Sequence, residues 1–236
     1  MKTMGFLGGM SWESTVTYYR VANETVKETL GGLHSAKCVL YSVDFQELEE
    51  CLARGDWDRI GVTLSAAAKT LEGAGADFVV ICTNTMHNVA EAVQTSIGVP
   101  LLHIADMTAD ELQRRNIHKV ALLGTKYTME KDFYKSRLIG RGLEVVIPET
   151  ADRERLNAIV FEELCLGKAT EASRAFLLDL VNRLAASGAE GTILGCTELG
   201  LLISEKDTAH PLFDTALIHA RGAALYALGK ADSRAC

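Results

Sequence analysis

A cysteine at position 196 stands where a reactive side chain is expected in a chain of alternating strands and helices. Cys196 closes a predicted strand, and Thr197 and Glu198 follow it directly. A thiolate can act as a base, and a helix N-terminus lowers the thiol pKa from its usual value near ~8.5. The position therefore predicts a catalytic thiol. The alternative is that Cys196 is simply a small buried hydrophobic side chain.

Three other stretches place small polar residues after predicted strands: 8–11 (Gly-Gly-Met-Ser), 83–85 (Thr-Asn-Thr) and 124–125 (Gly-Thr). In parallel α/β sheets, ligands bind beyond the carboxyl ends of the strands, where backbone N–H groups at helix starts suit a carboxylate. None of the stretches has the spacing of a nucleotide-binding loop. The candidate substrate-binding residues are Met10, Ser11, Asn84, Thr85, Thr125, Thr197 and Glu198.

His87 stands one turn after Thr83, where it could orient a base or bind a carboxylate. A lone histidine is more often a packing residue, and that alternative stays open. Lys126 and Lys168 could bind an anionic group of a substrate, although surface lysines usually have no specific partner.

Short apolar runs alternate with longer amphipathic stretches along the chain, which predicts an α/β fold with parallel sheets. The expected strands are 4–7, 37–42, 78–82, 101–104 and 119–123, and the expected helices include 11–30, 56–71 and 106–115.

The pattern indicates an internal duplication. Gly8 recurs as Gly124 with an offset of 116 residues, and Thr83 recurs as Cys196 with an offset of 113. Two α/β units can also share such features by chance. The duplication predicts a first domain of 1–112 plus 212–236 and a second of 113–211, with the tail after Phe213 lacking a copy. It also predicts that Thr83 and Cys196 act on one ligand.

Composition excludes several classes of protein. The chain has 236 residues and a net charge of -7, without the basic stripe of a nucleic-acid-binding protein. Because no apolar run approaches the ~20 residues of a membrane span, we expect no membrane association and a cytoplasmic location. Six cysteines without a C-x-x-C pair argue against zinc and a disulfide framework.

Four stretches in this order, 8–11, 83–87, 195–198 and 211–220, resemble the aspartate/glutamate racemase family. The resemblance spans almost the whole chain. It implies two pseudosymmetric domains, each a parallel sheet flanked by helices, with the active site in the cleft between them. It also implies a homodimer that acts on a small amino acid without pyridoxal phosphate or metal. Family members carry one cysteine in each half, so that one removes the α-proton and the other delivers a proton to the opposite face.

This sequence departs from the family at the first cysteine. Thr83 takes its place, and Cys82 lies one residue early, which turns its side chain to the opposite face of the strand. A threonine hydroxyl can hold or relay a proton but is a poor base. The motif resembles an L-aspartate/glutamate-specific subgroup, which predicts efficient proton abstraction from L-substrates by Cys196 and weak activity on D-substrates.

A second departure concerns the substrate side chain. Leu48 and Leu166 stand where relatives that take aspartate often have basic residues. Arg54, Lys126 or Lys168 could replace them, or the substrate could be less acidic. Two other functions stay open: a related decarboxylase that uses a single cysteine, and an amino-acid-binding protein without catalysis.

Overall fold

The computed structural model describes residues 1–230 and divides the chain into two compact units. Within the described residues, the first contains 1–107 and 219–230, and the second contains Thr108–Ile218. Each unit holds one four-stranded parallel sheet flanked by helices. The predicted α/β class is confirmed. Within residues 1–230, no helix has both the length and the apolar character to cross a membrane.

The first unit has the strand order β2-β1-β3-β4, with the central strands β1 and β3 completely buried. Its strands are β1 (Met4–Gly8), β2 (Cys38–Ser42), β3 (Phe78–Ile81) and β4 (Leu101–Leu102). The helices that follow these strands are α1 (Trp12–Leu30), α2 (Phe45–Arg54), α3 (Trp57–Gly73), α4 (Ala90–Ser96) and α5 (Ile104–Arg114).

The second unit repeats this order as β6-β5-β7-β8. Its strands are β5 (Lys119–Gly124), β6 (Glu144–Val146), β7 (Gly191–Gly195) and β8 (Leu212–Asp214). The helices are α6 (Lys126–Glu130), α7 (Asp132–Gly140), α8 (Thr150–Ala158), α9 (Glu171–Ala186) and α10 (Thr215–Ala227), with a π turn at Ile159–Glu163.

Strand register shows which residues of the two units are equivalent. Val80 pairs with Leu102 in the first sheet, and Ile193 pairs with Phe213 in the second. The pair β4 and α5 is therefore repeated by β8 and α10, and the expectation that the tail lacks a copy is wrong. The two-residue length of β4 leaves too little sequence to reveal this repeat.

The division observed in the structure lies a few residues from the boundaries expected at 112 and 212. Strand β8 belongs with the second unit because it pairs with β7. The chain passes from one unit to the other inside helices α5 and α10, at Met107–Thr108 and Ile218–His219. Residues 231–236 of the expected first domain lie outside the described part of the chain.

Side-chain caps start the helices that follow β1 and β5. Ser11 Oγ accepts the Ser14 N–H at 3.4 Å at the start of α1, and Thr125 Oγ1 accepts the Thr128 N–H at 3.3 Å at the start of α6. Hydroxyl oxygens at this position satisfy N–H groups that have no partner within the helix. The polar residues after β1 and β5 therefore have a structural role as well as a candidate functional one.

The turn after β1 requires glycine at position 9. Gly9 has a φ of +89°, and a Cβ atom there would overlap Val43 O and lie 2.7 Å from Ser42 Oγ. Gly55 also has a positive φ, +70°, but nothing lies within 4 Å of its Cβ position. An alanine at position 55 would therefore suffer backbone strain alone, whereas an alanine at position 9 would suffer both backbone strain and steric overlap.

We expect Gly9→Ala to lower the free energy of unfolding by more than ~2 kcal/mol, because it adds overlap in a packed region to the strain of a positive φ. Gly55→Ala is the matched control and costs about 1 kcal/mol from the backbone alone. Urea unfolding monitored by circular dichroism measures both. If both variants lost the same free energy of unfolding, the close contact between position 9 and residue 43 would not contribute to stability, contrary to this prediction.

Candidate active site

The first group of predicted site residues lies at the carboxyl edge of the first sheet. Strands β1 and β3 are neighbours, and Leu7 pairs with Ile81. The stretches that follow these residues therefore lie side by side, as expected for parallel strands. All five side chains are buried: Met10, Ser11, Thr83, Asn84 and Thr85.

The second group lies at the equivalent edge of the second sheet. Gly124 pairs with Gly195, so Thr125 and Cys196 directly follow paired residues of β5 and β7. Thr197 and Glu198 continue the chain from Cys196, and all four residues are buried. The structure thus brings the nine predicted residues together as two groups, one in each unit.

Cys196 is hydrogen-bonded to a buried carboxylate. Its Sγ–H donates to Glu198 Oε2 at 2.9 Å, and Thr197 Oγ1 donates to the same oxygen at 2.9 Å. Glu198 is only 3% exposed, so its charge is poorly screened by water. Glu198 is therefore the hydrogen-bond acceptor of the thiol.

The thiol pKa does not follow the expectation from the sequence. Burial, the negative charge of Glu198 and the nearby Cys165 raise the pKa of Cys196 well above its ordinary value. The expected stabilisation by a helix N-terminus is wrong, because the chain after Cys196 forms only a three-residue 3-10 turn, Leu199–Leu201, whose dipole is small.

A raised pKa and a catalytic thiolate are compatible if the proton moves to Glu198 instead of to water. Transfer from Sγ to Oε2 makes a thiolate and neutralises the carboxylate, so the pair keeps a single negative charge. Loss of the proton to solvent would leave two adjacent charges in a buried place, which is much less favourable. Cys196 and Glu198 are therefore treated as one hydrogen-bonded pair.

Asp214 is a member of this environment that the candidate residues from the sequence did not include. It is the last residue of β8, where it pairs with Leu194 of β7. Its Oδ1 accepts the N–H groups of Ala216 and Leu217 at 2.9 and 3.1 Å. Burial, together with the charge of Glu198, raises the pKa of Asp214 to about 6, although these N–H groups oppose the shift. Its place beside β7 follows from the pairing of β8 with β7, which a sequence pattern of three strand residues does not reveal.

The threonine group differs from the cysteine group in its chemistry. Thr83 is 8% exposed, and its backbone carbonyl accepts a hydrogen bond from His87 Nδ1–H at 2.7 Å. The neighbouring Cys82 is buried, its Sγ–H donates to Val80 O at 3.7 Å, and burial raises its pKa well above the ordinary value. Cys82 therefore lacks the carboxylate partner that Cys196 has in Glu198.

The positions considered for binding a distal carboxylate are scattered. Leu48 is buried in the core, and Leu166 is 63% exposed. Lys126 Nζ lies 3.4 Å from the exposed Glu154, and Arg54 donates to Cys51 Sγ at 3.7 Å. The side chain of Lys168 is exposed. The charged group that Cys196 contacts is instead the carboxylate of Glu198.

The model of the Asp/Glu/hydantoin racemase family matches residues 7–223, nearly the whole chain. This chain belongs to the Asp/Glu/hydantoin racemase family. The resemblance noted from the four motifs is thereby confirmed. Membership places the chain among isomerases and agrees with its two sheets of equal topology.

Solved structures of racemase-family proteins share this fold over full length. A candidate Asp/Glu racemase from Yersinia pestis is 52% identical, with a TM-score of 0.90, and the match covers 97% of this chain and 100% of that one. An aspartate racemase homologue from Pyrococcus horikoshii OT3 is 38% identical, with a TM-score of 0.84 and the same coverage.

A curated relative in the racemase family matches over a shorter stretch. The broad specificity amino-acid racemase RacX of Bacillus subtilis is 34% identical over 91 residues, which is 39% of this chain and 40% of that protein. The match therefore spans less than half the length of RacX.

The raised pKa of Cys196 predicts how its thiol reacts with iodoacetamide. Because the thiol pKa is raised, we expect the alkylation rate of Cys196 to keep rising with pH through pH 9. Glu198→Gln removes a negative charge beside the thiol, so it lowers the pKa and moves the profile to lower pH. Mass spectrometry of the peptide that contains Cys196 measures the rate.

Glu171→Gln is the control for this experiment, since the Glu171 side chain is exposed and paired with Arg174. It leaves the alkylation profile unchanged. A wild-type alkylation rate that is already maximal at pH 7 would contradict the claim that Glu198 raises the pKa of Cys196. So would a Glu198→Gln profile that moves to higher pH.

Proposed function

We propose that this chain is a cofactor-independent amino-acid racemase in which Cys196 removes the α-proton of an L-substrate. The observation that carries the proposal is the hydrogen bond of 2.9 Å from Cys196 Sγ to Glu198 Oε2, which provides a route to the thiolate. Family membership supports the reaction class, and the absence of a cofactor is part of the proposal.

The proposed reaction begins with proton transfer from Cys196 to Glu198. The thiolate then takes the α-proton of the amino acid, which leaves a planar carbanion stabilised by the substrate carboxylate. A proton delivered to the opposite face, on the Thr83 side, completes inversion. After inversion the Cys196–Glu198 pair has gained one proton and the Thr83 side has lost one, so loss of a proton from Glu198 to solvent and uptake of a solvent proton on the Thr83 side restore the starting state. If Cys196 instead returns its proton to the carbanion, the L-substrate is regenerated and Glu198 gives its proton back to the thiolate.

The proposed site is unequal on its two sides. A threonine hydroxyl is a much weaker acid than a thiol, so Thr83 relays a solvent proton but removes one poorly. We therefore propose that L-substrates react faster than D-substrates at equal enzyme saturation. The equilibrium between free enantiomers stays near unity, because a catalyst changes rates in both directions without changing the ratio.

The proposed substrate is aspartate, glutamate or a related amino acid. The backbone N–H groups and hydroxyls at the Ser11 and Thr125 corners suit an α-carboxylate, and Asn84, Thr85 and Thr197 supply further polar contacts. The names of the Yersinia pestis and Pyrococcus horikoshii proteins favour an acidic substrate, whereas RacX favours a broader range. A cytoplasmic homodimer is part of the proposal and rests on the family resemblance.

The proposal predicts loss of α-proton exchange when the thiol is removed. We expect Cys196→Ser to slow α-deuteration of L-aspartate and L-glutamate in heavy water by about 10³-fold or more, since a serine hydroxyl is a far weaker acid than a thiol. Proton NMR of the α-position measures the rate, and a panel of neutral L-amino acids tests the breadth of substrates.

Cys82→Ala is the matched control, because Cys82 is equally buried and is the nearest cysteine in sequence to Thr83. It retains exchange. Full activity of Cys196→Ser would refute the proposal. Carbon dioxide release from a substituted malonate, without exchange on any amino acid, would support the decarboxylase instead, and tight amino-acid binding without exchange would support a binding protein.

A further inference from the structure

We infer that His87 is a positioning residue for the Thr83 side of the reaction, through a hydrogen bond to the Thr83 backbone. This inference rests on the proposed function. His87 lies in the 3-10 turn Thr85–Val89 and is 2% exposed. Its Nδ1 lies 2.7 Å from Thr83 O, and its Nε2 lies 3.2 Å from the Ile104 backbone nitrogen.

The two backbone partners fix the protonation of the His87 ring. A carbonyl oxygen can only accept, so Nδ1 carries the proton. An amide N–H can only donate, so Nε2 offers its lone pair. The ring is therefore neutral and uses both of its nitrogens. This arrangement makes His87 a rigid bridge and leaves it no proton to exchange with substrate.

The bridge joins two adjacent corners of the first sheet. Thr83 follows β3, Ile104 begins α5 after β4, and these strands are hydrogen-bonded neighbours. The ring of His103 packs against His87 with centroids 4.5 Å apart, and the ring of His219 lies 5.8 Å away. These contacts hold the imidazole plane and thus the carbonyl of Thr83.

The outer histidine of this cluster is held in turn by the first sheet and helix α1. His219 Nε2–H donates to Leu102 O at 2.9 Å, and Tyr18 O–H donates to His219 Nδ1 at 2.9 Å. Burial lowers the pKa of His219 to about 4, so it stays neutral at physiological pH. The support beneath Thr83 is therefore uncharged.

Within residues 1–230, the cysteine side is held by a different contact. By strand register, the residue equivalent to His87 is Gly200, and the residue equivalent to His103 is Asp214. A Cβ atom on Gly200 would overlap Asp214 Oδ2, so a side chain there would have to displace the Asp214 carboxylate. The thiol is held instead by Glu198. Each side thus has its own means of placing its reactive group.

Position matters more for Thr83 than for Cys196. A weakly acidic hydroxyl contributes only if it stands at the correct distance and angle, and a displacement of ~1 Å can cost 10²-fold in rate. Displacement of the Thr83 backbone therefore affects proton delivery on that side and leaves proton removal by Cys196 intact.

Two substitutions test the two hydrogen bonds of His87 one at a time. His87→Asn keeps an N–H donor near the Nδ1 position, and His87→Gln keeps an acceptor oxygen near the Nε2 position. In heavy water, an L-substrate gives α-deuterated L-amino acid by return from Cys196, and D-amino acid by delivery on the Thr83 side. The measured quantity is the ratio of D-amino acid formed to deuterated L-amino acid, by chiral chromatography with mass spectrometry.

We expect His87→Gln to lower this ratio by about tenfold or more while total exchange changes by less than about twofold. We expect His87→Asn to restore most of the ratio. Parallel loss of exchange and inversion in both variants, or an unchanged ratio in His87→Gln, would overturn the inference. Absence of Cys196-dependent exchange in the wild type would instead refute the proposed function.

A measurement on the wild type does not depend on the folding of variants. Nitrogen-15 NMR of histidine-labelled protein distinguishes the two neutral tautomers. The inference requires the Nδ1–H form at His87. An Nε2–H form, or a charged ring at neutral pH, would overturn it.

Discussion

The hydrogen bond from Cys196 to Glu198 is the interaction on which the proposed chemistry of this chain depends. Burial and the negative charge of Glu198 both raise the pKa of the thiol, so its proton is not readily lost to solvent. A buried carboxylate 2.9 Å away can take the proton without adding a second charge. Strand β7, its register with β5 and the tight turn after Gly195 place the two side chains within reach of each other.

The duplication gives two equivalent strand ends, after β3 and after β7, whose side chains differ in their chemistry. Sheet orders and registers agree between the units, so Thr83 and Cys196 occupy equivalent positions. Cys196 donates a hydrogen bond to the carboxylate of Glu198, whose charge also acts on Asp214. The Thr83 carbonyl instead accepts a hydrogen bond from His87, which packs against the ring of His103. This difference is the physical basis for proposing a racemase with an L-side bias.

Much of the fold could be predicted because its signals are local. The buried strands β1 and β3 are continuously apolar, and α1 begins at a serine cap and ends at glycine. The α/β class, the repeat of Gly8 as Gly124 and the family all followed from such signals. The repeat of β4 and α5 did not, because two strand residues carry too little pattern.

The candidate site was harder to predict because its properties are not local. The raised pKa of Cys196 depends on burial and on Glu198, and the 3-10 turn after Cys196 replaced the expected helix. Asp214 and the bond from His87 to Thr83 depend on strand register and on a side chain reaching back four residues. Sequence named His87 as a residue that could orient a base, but its partner is visible only in the structure.

Comparison of α-deuteration of the L- and D-enantiomers of one substrate by the wild-type protein and by Thr83→Cys tests the unequal site most directly. The account predicts that the wild type deuterates the L-enantiomer faster than the D-enantiomer, and that a thiol at position 83 raises the rate on the D-enantiomer and narrows the difference. Equal rates on both enantiomers in the wild type would contradict the account.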